Sequence, residues 1–159
     1  MKITIIAVGK IKEKFYRDAI QEYEKRLSKY CKLEIIEVSD EKTPDKLSEV
    51  EENQILLKES EKILKHIRPD MLVLALAIKG KKMDSIAFSN EINHAGITGN
   101  SSIAYVIGGS LGLHPNILQR ADKQISFSDM TFPHQLMRVI LVEQIYRGYR
   151  ILCNEPYHK

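Results

Sequence analysis

Three segments of the chain combine residue types that do chemistry. The first is Val106-Ile107-Gly108-Gly109-Ser110-Leu111-Gly112-Leu113. An apolar run ending in glycines lets a ligand approach the backbone closely. In an open α/β sheet, ligands settle beyond the carboxyl ends of strands. The segment lacks the G-x-G-x-x-G spacing of a dinucleotide loop, and no Gly-Lys-Ser/Thr follows as in a P-loop. On spacing alone, a ligand loop and a tight turn with positive φ angles both stay open.

The second segment is Ser126-Phe127-Ser128-Asp129-Met130-Thr131-Phe132-Pro133-His134. It lies between a short strand and the start of a long helix, so its amides can face a polar ligand. Taken singly, Asp129 and Thr131 read as helix caps, and Phe127 and Phe132 as core. The third is the stretch from Pro133 to Leu152. Its apolar residues are spread too widely for one helix face, which predicts burial on more than one side. In a chain this short, a second subunit is a natural source of the second side. Arg138 and Glu143 need partners if buried, while Arg147 and Arg150 can face phosphate.

His66, His94 and His114 fall near element ends and read as solvated. His134 reads as a structural or loop-ordering group. His158 sits in the polar tail with Tyr157 and Lys159, where disorder is the usual outcome. No paired His/Cys/Asp/Glu spacing suggests a metal. Two cysteines, Cys31 and Cys153, make neither a disulfide framework nor a zinc site by themselves.

These segments need elements to hold them. Met1–Val8 reads as a buried strand ending at Gly9, and Glu13–Tyr30 carries one apolar stripe at helical spacing. Leu33–Val38 is a second strand. Leu47–Ile67 is helical in composition but weakly amphipathic in its first half, which predicts exposure there. Met71–Ile78 is a near-continuous apolar run, suited to a central strand that Gly80 ends. A helix capped by Asp84 or Ser85 runs to about His94. Ile103–Ile107 is a strand, Pro115 suits the first turn of a short helix, and Gln124–Phe127 is a last short strand. Alternating strands and helices predict a parallel α/β sheet of about five strands with helices on both faces, in one domain over residues 1–159.

The chain has 159 residues with 43% hydrophobic and 28% charged, near the globular average, which excludes a disordered or fibrous protein. The apolar run at Met71–Ile78 is far below the ~20 residues of a membrane span. The first residues lack a signal-peptide pattern, so a cytoplasmic location without membrane attachment is expected. Residues 1–30 hold eight basic and four acidic groups, and residues 31–70 hold seven and eleven. Residues 133–159 hold four and two. The two ends are basic, and a net charge of +3 does not by itself demonstrate nucleic-acid binding; if the ends fold side by side, Lys10, Lys12, Lys14, Arg147, Arg150 and Lys159 are the groups expected on one phosphate-binding face.

Together, residues 106–113, Phe-Ser-Asp-Met-Thr-Phe-Pro-His-Gln-Leu-Met-Arg-Val at 127–139, Glu-Gln-Ile-Tyr-Arg at 143–147 and Pro-Tyr-His-Lys at 156–159 form an ordered set. Ile-Thr-Ile-Ile-Ala-Val-Gly-Lys at 3–10 and Leu-Ala-Ile-Lys-Gly-Lys at 76–81 fit the same pattern. With them the chain closely resembles, over essentially its whole length, the RlmH family of ribosomal RNA large-subunit methyltransferases.

The resemblance implies a SPOUT fold with a C-terminal deep trefoil knot, a topology that periodicity never shows. It implies a homodimer, S-adenosylmethionine as methyl donor without a metal, and a 23S rRNA pseudouridine methylated at N3 in assembled ribosomes. By the family pattern the donor sits among Leu76, Gly108 and the loop of Phe127, Ser128, Asp129, Met130, Thr131 and Phe132. The same pattern puts Tyr157 and His158 near a partner's donor site, where they are the candidate catalytic groups for helping the N3 proton leave; Arg138, the third catalytic candidate, reads as an active-site organiser rather than a base, since guanidinium stays protonated. A non-catalytic ribosome-associated RNA-binding protein is the rival reading, and a small-molecule nucleotide binder a third.

Overall fold

The structure is a computed structural model that describes residues 1–159. Five strands form one sheet: β1 (Lys2–Val8), β2 (Lys32–Val38), β3 (Leu72–Lys82), β4 (Ser102–Ile107) and β5 (Lys123–Ser126). Their order is β2-β1-β4-β3-β5. Every pairing is parallel. The helices are α1 (Lys14–Leu27), α2 (Glu49–Leu64), α3 (Ser85–Ile97), α4 (Pro115–Arg120) and α5 (His134–Leu152).

Strand side chains alternate between faces with a period of two, and the core divides accordingly. Ile3, Ile5, Ala7, Leu74, Ile103, Tyr105 and Ile107 pack under α1, α3 and α5 with Ile20, Phe88, Leu141 and Ile145. Ile6, Val8, Val73, Ala104 and Val106 pack on the other face with Ile63 of α2 and Ile117 of α4. This is the expected sheet with helices on both sides. The first half of α2 is exposed, as its weak pattern predicts. None of the helices is long and apolar enough to cross a membrane.

Local chemistry sets the helix starts. Asp84 accepts a hydrogen bond from Ala87 N–H at 2.7 Å and caps α3. At α2, Ser48 and Glu51 form a reciprocal capping box, a signal the sequence reading passed over. His114, expected to be solvated, instead caps α4: its Nδ1 accepts from Asn116 N–H at 3.1 Å.

Gly80 does not end β3. The strand bulges after Leu76 and pairs with β5 again at Lys81 and Lys82. A Cβ at residue 80 would lie 2.6 Å from the carbonyl carbon of Ile125. The glycine is there because two backbones cross at contact distance, which a strand glycine also signals.

Candidate active site

All five strands point their carboxyl ends the same way, and the far half of β3 with the loops leaving β4 and β5 encloses a cleft of about 970 Å³. That is near the upper end of the roughly 300–1,000 Å³ typical of ligand sites. Its floor includes Leu76, Ile107, Ile125 and Leu113, and its walls are the glycine loop and residues 126–134. The cleft sits where open α/β sheets place their ligands.

The glycine loop is a turn closed on itself. Gly112 N–H donates to Gly109 O at 3.1 Å, and Gly112 has φ +86°. A Cβ at Gly108 would lie 2.4 Å from Gly112 O. The need for glycine at 108 therefore comes first from the loop's own backbone, not from space reserved for a ligand. Beneath the loop, a Cβ on Gly109 would touch Val8 at 3.1 Å and Glu59 at 3.6 Å. Glu59 is buried, accepts from Glu41 N–H at 3.0 Å, and burial pushes its carboxyl above the ordinary range.

The opposite wall is braced internally. Ser126 Oγ donates to Ser128 O at 3.0 Å, and Ser128 Oγ accepts from Met130 N–H at 3.0 Å. Phe127 packs edge-on to Phe88. Leu76, Gly108, Phe127, Ser128, Met130, Thr131 and Phe132 line the cleft. Asp129 does not; it is exposed on the outer side, paired with Lys82.

Arg138 lies behind the cleft, fully buried. Its Nη1 donates to Glu37 at 2.7 Å. Its Nη2 faces three acceptors: Val8 O at 2.9 Å, Gly9 O at 2.7 Å and His134 Nδ1 at 3.1 Å. Arg138 thus ties α5 to the ends of β1 and β2. His134, a structural or loop-ordering group by sequence, lines the cleft together with Pro133, Met137, Gln124 and Lys79. Burial and then the Arg138 charge hold its imidazole below the usual histidine range.

The tail is ordered, and it lies away from its own chain's cleft. Tyr157 donates to Glu143 Oε1 at 3.1 Å, and the Arg147 guanidinium stands 4.6 Å from its ring centroid. Burial, then contacts to Tyr23 and Glu143, push the Tyr157 phenol upward, so it stays protonated. His158 is exposed, with Nδ1 3.4 Å from Arg147 Nη1.

The expected basic face is only partly available. Arg147 is paired with Glu143 at 2.7 Å, Arg150 with Glu155 at 2.5 Å and Lys14 with Asp18 at 2.7 Å. Lys10 and Lys12 carry no carboxylate partner, and neither do Lys79 and Lys81 on the extended end of β3, which the charge map of the chain ends overlooked.

The glycine turn and the braced loop meet at one crevice beyond the carboxyl ends of a parallel α/β sheet, the place where such sheets bind ligands. The family described as "Predicted SPOUT methyltransferase" matches residues 1–158, and the chain belongs to that family. It is 63% identical over 159 residues, covering all of both chains, to "Ribosomal RNA large subunit methyltransferase H" of Clostridium botulinum strain Hall. It is 62% identical, again over both full lengths, to the protein of the same name from Bifidobacterium adolescentis. Among solved structures, a probable methylase family protein from Haemophilus influenzae Rd KW20 superposes with a TM-score of 0.54 at 12% identity. That match covers 99% of this chain and 70% of the other, and it supports the fold.

Proposed function

We propose that this methyltransferase acts on large-subunit ribosomal RNA, at N3 of a pseudouridine in assembled ribosomes, with S-adenosylmethionine as donor. The observation that carries the donor part of the reading is the cleft, whose size and many apolar lining residues suit a nucleoside-type donor. The names of the full-length relatives supply the RNA class. Leu76, Gly108 and Phe127–Phe132 would hold the donor, with Asp129 bracing the loop from outside through Lys82. When bound, the donor supplies a methyl group on a sulfonium; its transfer breaks a C–S bond, forms a C–N bond, leaves a thioether and releases the N3 proton.

The protein's part is then orientation, which can supply roughly 7–11 kcal/mol of a barrier in favourable cases. Arg138 acts as an organiser, holding β1, β2 and His134 in one arrangement. Tyr157 and His158 lie outside their own chain's cleft, so they serve a reaction only in a homodimer that brings the tail to a partner's cleft. The half-buried apolar residues of α5, among them Leu136, Val139, Ile140 and Ile151, support such a pairing. The same reading includes the C-terminal trefoil knot that the SPOUT class implies and a cytoplasmic location beside ribosomes.

The test is incorporation of labelled methyl from S-adenosylmethionine into intact ribosomes, with the modified nucleotide mapped. Label in one large-subunit pseudouridine is expected. Donor binding without any incorporation would reject the substrate, and no donor binding would reject the enzyme reading for a purely RNA-binding one.

A further inference from the structure

His134 stands at the one point where the cleft meets the buried ion-pair network, and its ring is held from three sides. Arg138 Nη2 lies 3.1 Å from Nδ1. Gly9 packs on the ring; a Cβ there would be 3.1 Å from His134 Cε1, and Gly9 has φ +89°, a conformation other residues rarely adopt. The third constraint is position, in the first turn of α5 directly after Pro133.

A guanidinium has donors and no acceptor. We assign the ring nitrogen beside Arg138 as the bare one, sharing the two Nη2 hydrogens with Val8 O and Gly9 O, which places the proton of the neutral imidazole on Nε2. That nitrogen has no hydrogen-bond partner within the chain, while the residue lines the cleft. A second proton on Nδ1 would set two donors against each other. The surroundings agree: burial opposes ring protonation most and the Arg138 charge next, Asp40 favours it by less than Arg138 opposes it, and Lys12 opposes it least. Glu37, which could have compensated, is already engaged by Arg138 Nη1 at 2.7 Å.

We propose that His134 is a fixed neutral hydrogen-bond donor, Nε2–H, aimed at a carbonyl oxygen that flanks the reacting ring nitrogen of the acceptor base. This rests on the proposed methylation of a uracil-type nitrogen. When N3 loses its proton, the negative charge spreads onto the neighbouring carbonyl oxygens. A preset donor at one of them stabilises that charge without reorganising. The proton itself passes to solvent or another base, not to His134, because its free nitrogen is already protonated. Arg138 is the positioning residue, acting through the ring orientation.

Asparagine and glutamine separate this role from a structural one, because an Asn amide reaches the Nδ1 position and a Gln amide the Nε2 position. In single-turnover methylation of ribosomes, His134→Ala and His134→Asn are expected to lose about 10²-fold in rate, the usual loss on removing one such donor. His134→Gln is expected to recover much of it. S-adenosylmethionine affinity, read by calorimetry, should be unchanged in all three. Nitrogen-15 NMR of wild type without ligands should show the Nε2–H tautomer persisting below the ordinary titration range of histidine. Recovery by Asn and not Gln would make His134 structural, and a loss of donor affinity would assign it to the donor instead. An Nδ1–H tautomer would overturn the geometry itself. Full rate in His134→Ala beside an active wild type would overturn this inference alone; an inactive wild type would bring down the methylation reading beneath it.

Discussion

Gly80 of β3 and Ile125 of β5 meet backbone to backbone: a Cβ at residue 80 would fall 2.6 Å from Ile125 C and 2.7 Å from Ile125 N. The contact lets β3 run on past its bulge and pair a second time with β5. That extension carries Ile78 and Lys79 along the cleft wall.

Gly80→Ala should therefore be costly even though alanine is small and the site is half-buried. The blocking atoms are main chain, which cannot rotate away, so the loss should reach at least the ~1–3 kcal/mol of an overpacked core. Gly96→Ala is the control. Gly96 lies inside α3, where a Cβ would make an ordinary contact with Met1 at 3.6 Å. Replacing a helical glycine there should gain roughly 0.5–1 kcal/mol. Denaturant melts of the two variants should move in opposite directions.

Gly108→Ala is expected to weaken S-adenosylmethionine binding by deforming the turn, because the new Cβ strikes Gly112 O before it meets any ligand. Crystallography of the variant should show a displaced 109–112 turn. An undisturbed turn with lost binding would mean that the ligand, not the loop, needs the space.

Much of this architecture was legible in the sequence. Apolar runs located the five strands, spacing and composition located α1, α2 and α5, and the Asp84 or Ser85 cap and Pro115 located α3 and α4; glycines after an apolar strand marked the β4 turn that lines the cleft. Gly80 was misread because local propensity treats glycine as a terminator, whereas here a neighbour distant in sequence demands it. His134 escaped for the same reason: its orientation depends on Gly9 and Arg138, which no local pattern links to it. The paired cations were readable and missed, since Lys14 with Asp18 and Glu143 with Arg147 stand four apart on helices.

Arg138→Met should destabilise the fold as well as the site. The arginine is fully buried, and its loss leaves Val8 O and Gly9 O without this donor and Glu37 with only the Ile11 N–H and no charged partner. A broken buried pair costs about 3–5 kcal/mol when both charges are sealed in. The Glu37 side chain is 36% exposed, so about 2–3 kcal/mol is expected. Urea unfolding of the two proteins checks it.

Glu59→Gln should stabilise the protein at neutral pH and not at acid pH. Burial raises the Glu59 carboxyl in the folded chain above its unfolded value. The unfolded chain is then the more readily ionised state. Wild type keeps its full stability below the unfolded carboxylate range and loses part of it as pH rises through the folded value. Glutamine removes that loss and can still accept from Glu41 N–H. The melting temperatures of the two proteins should converge near pH 4 and separate by pH 7, with the variant higher.

The surviving cations give the last prediction. Lys79 lines the cleft, and Lys12 lies near its His134 wall, where Lys12 N–H donates to Gln135 Oε1 at 2.9 Å. Neither side chain has a carboxylate partner, so each presents its full charge to a phosphate. Lys14 differs, because Asp18 at 2.7 Å cancels its charge locally. Each phosphate contact releases counterions on binding, so losing one should lower the slope of log affinity against log salt by about one. Lys12→Ala and Lys79→Ala should each show that smaller slope in ribosome binding, and the double variant roughly twice the change. Lys14→Ala should leave the slope as it is. If all three variants keep the wild-type slope, the RNA does not approach the cleft across this rim, and the contact must be sought on Lys10, Lys81 or the partner's tail.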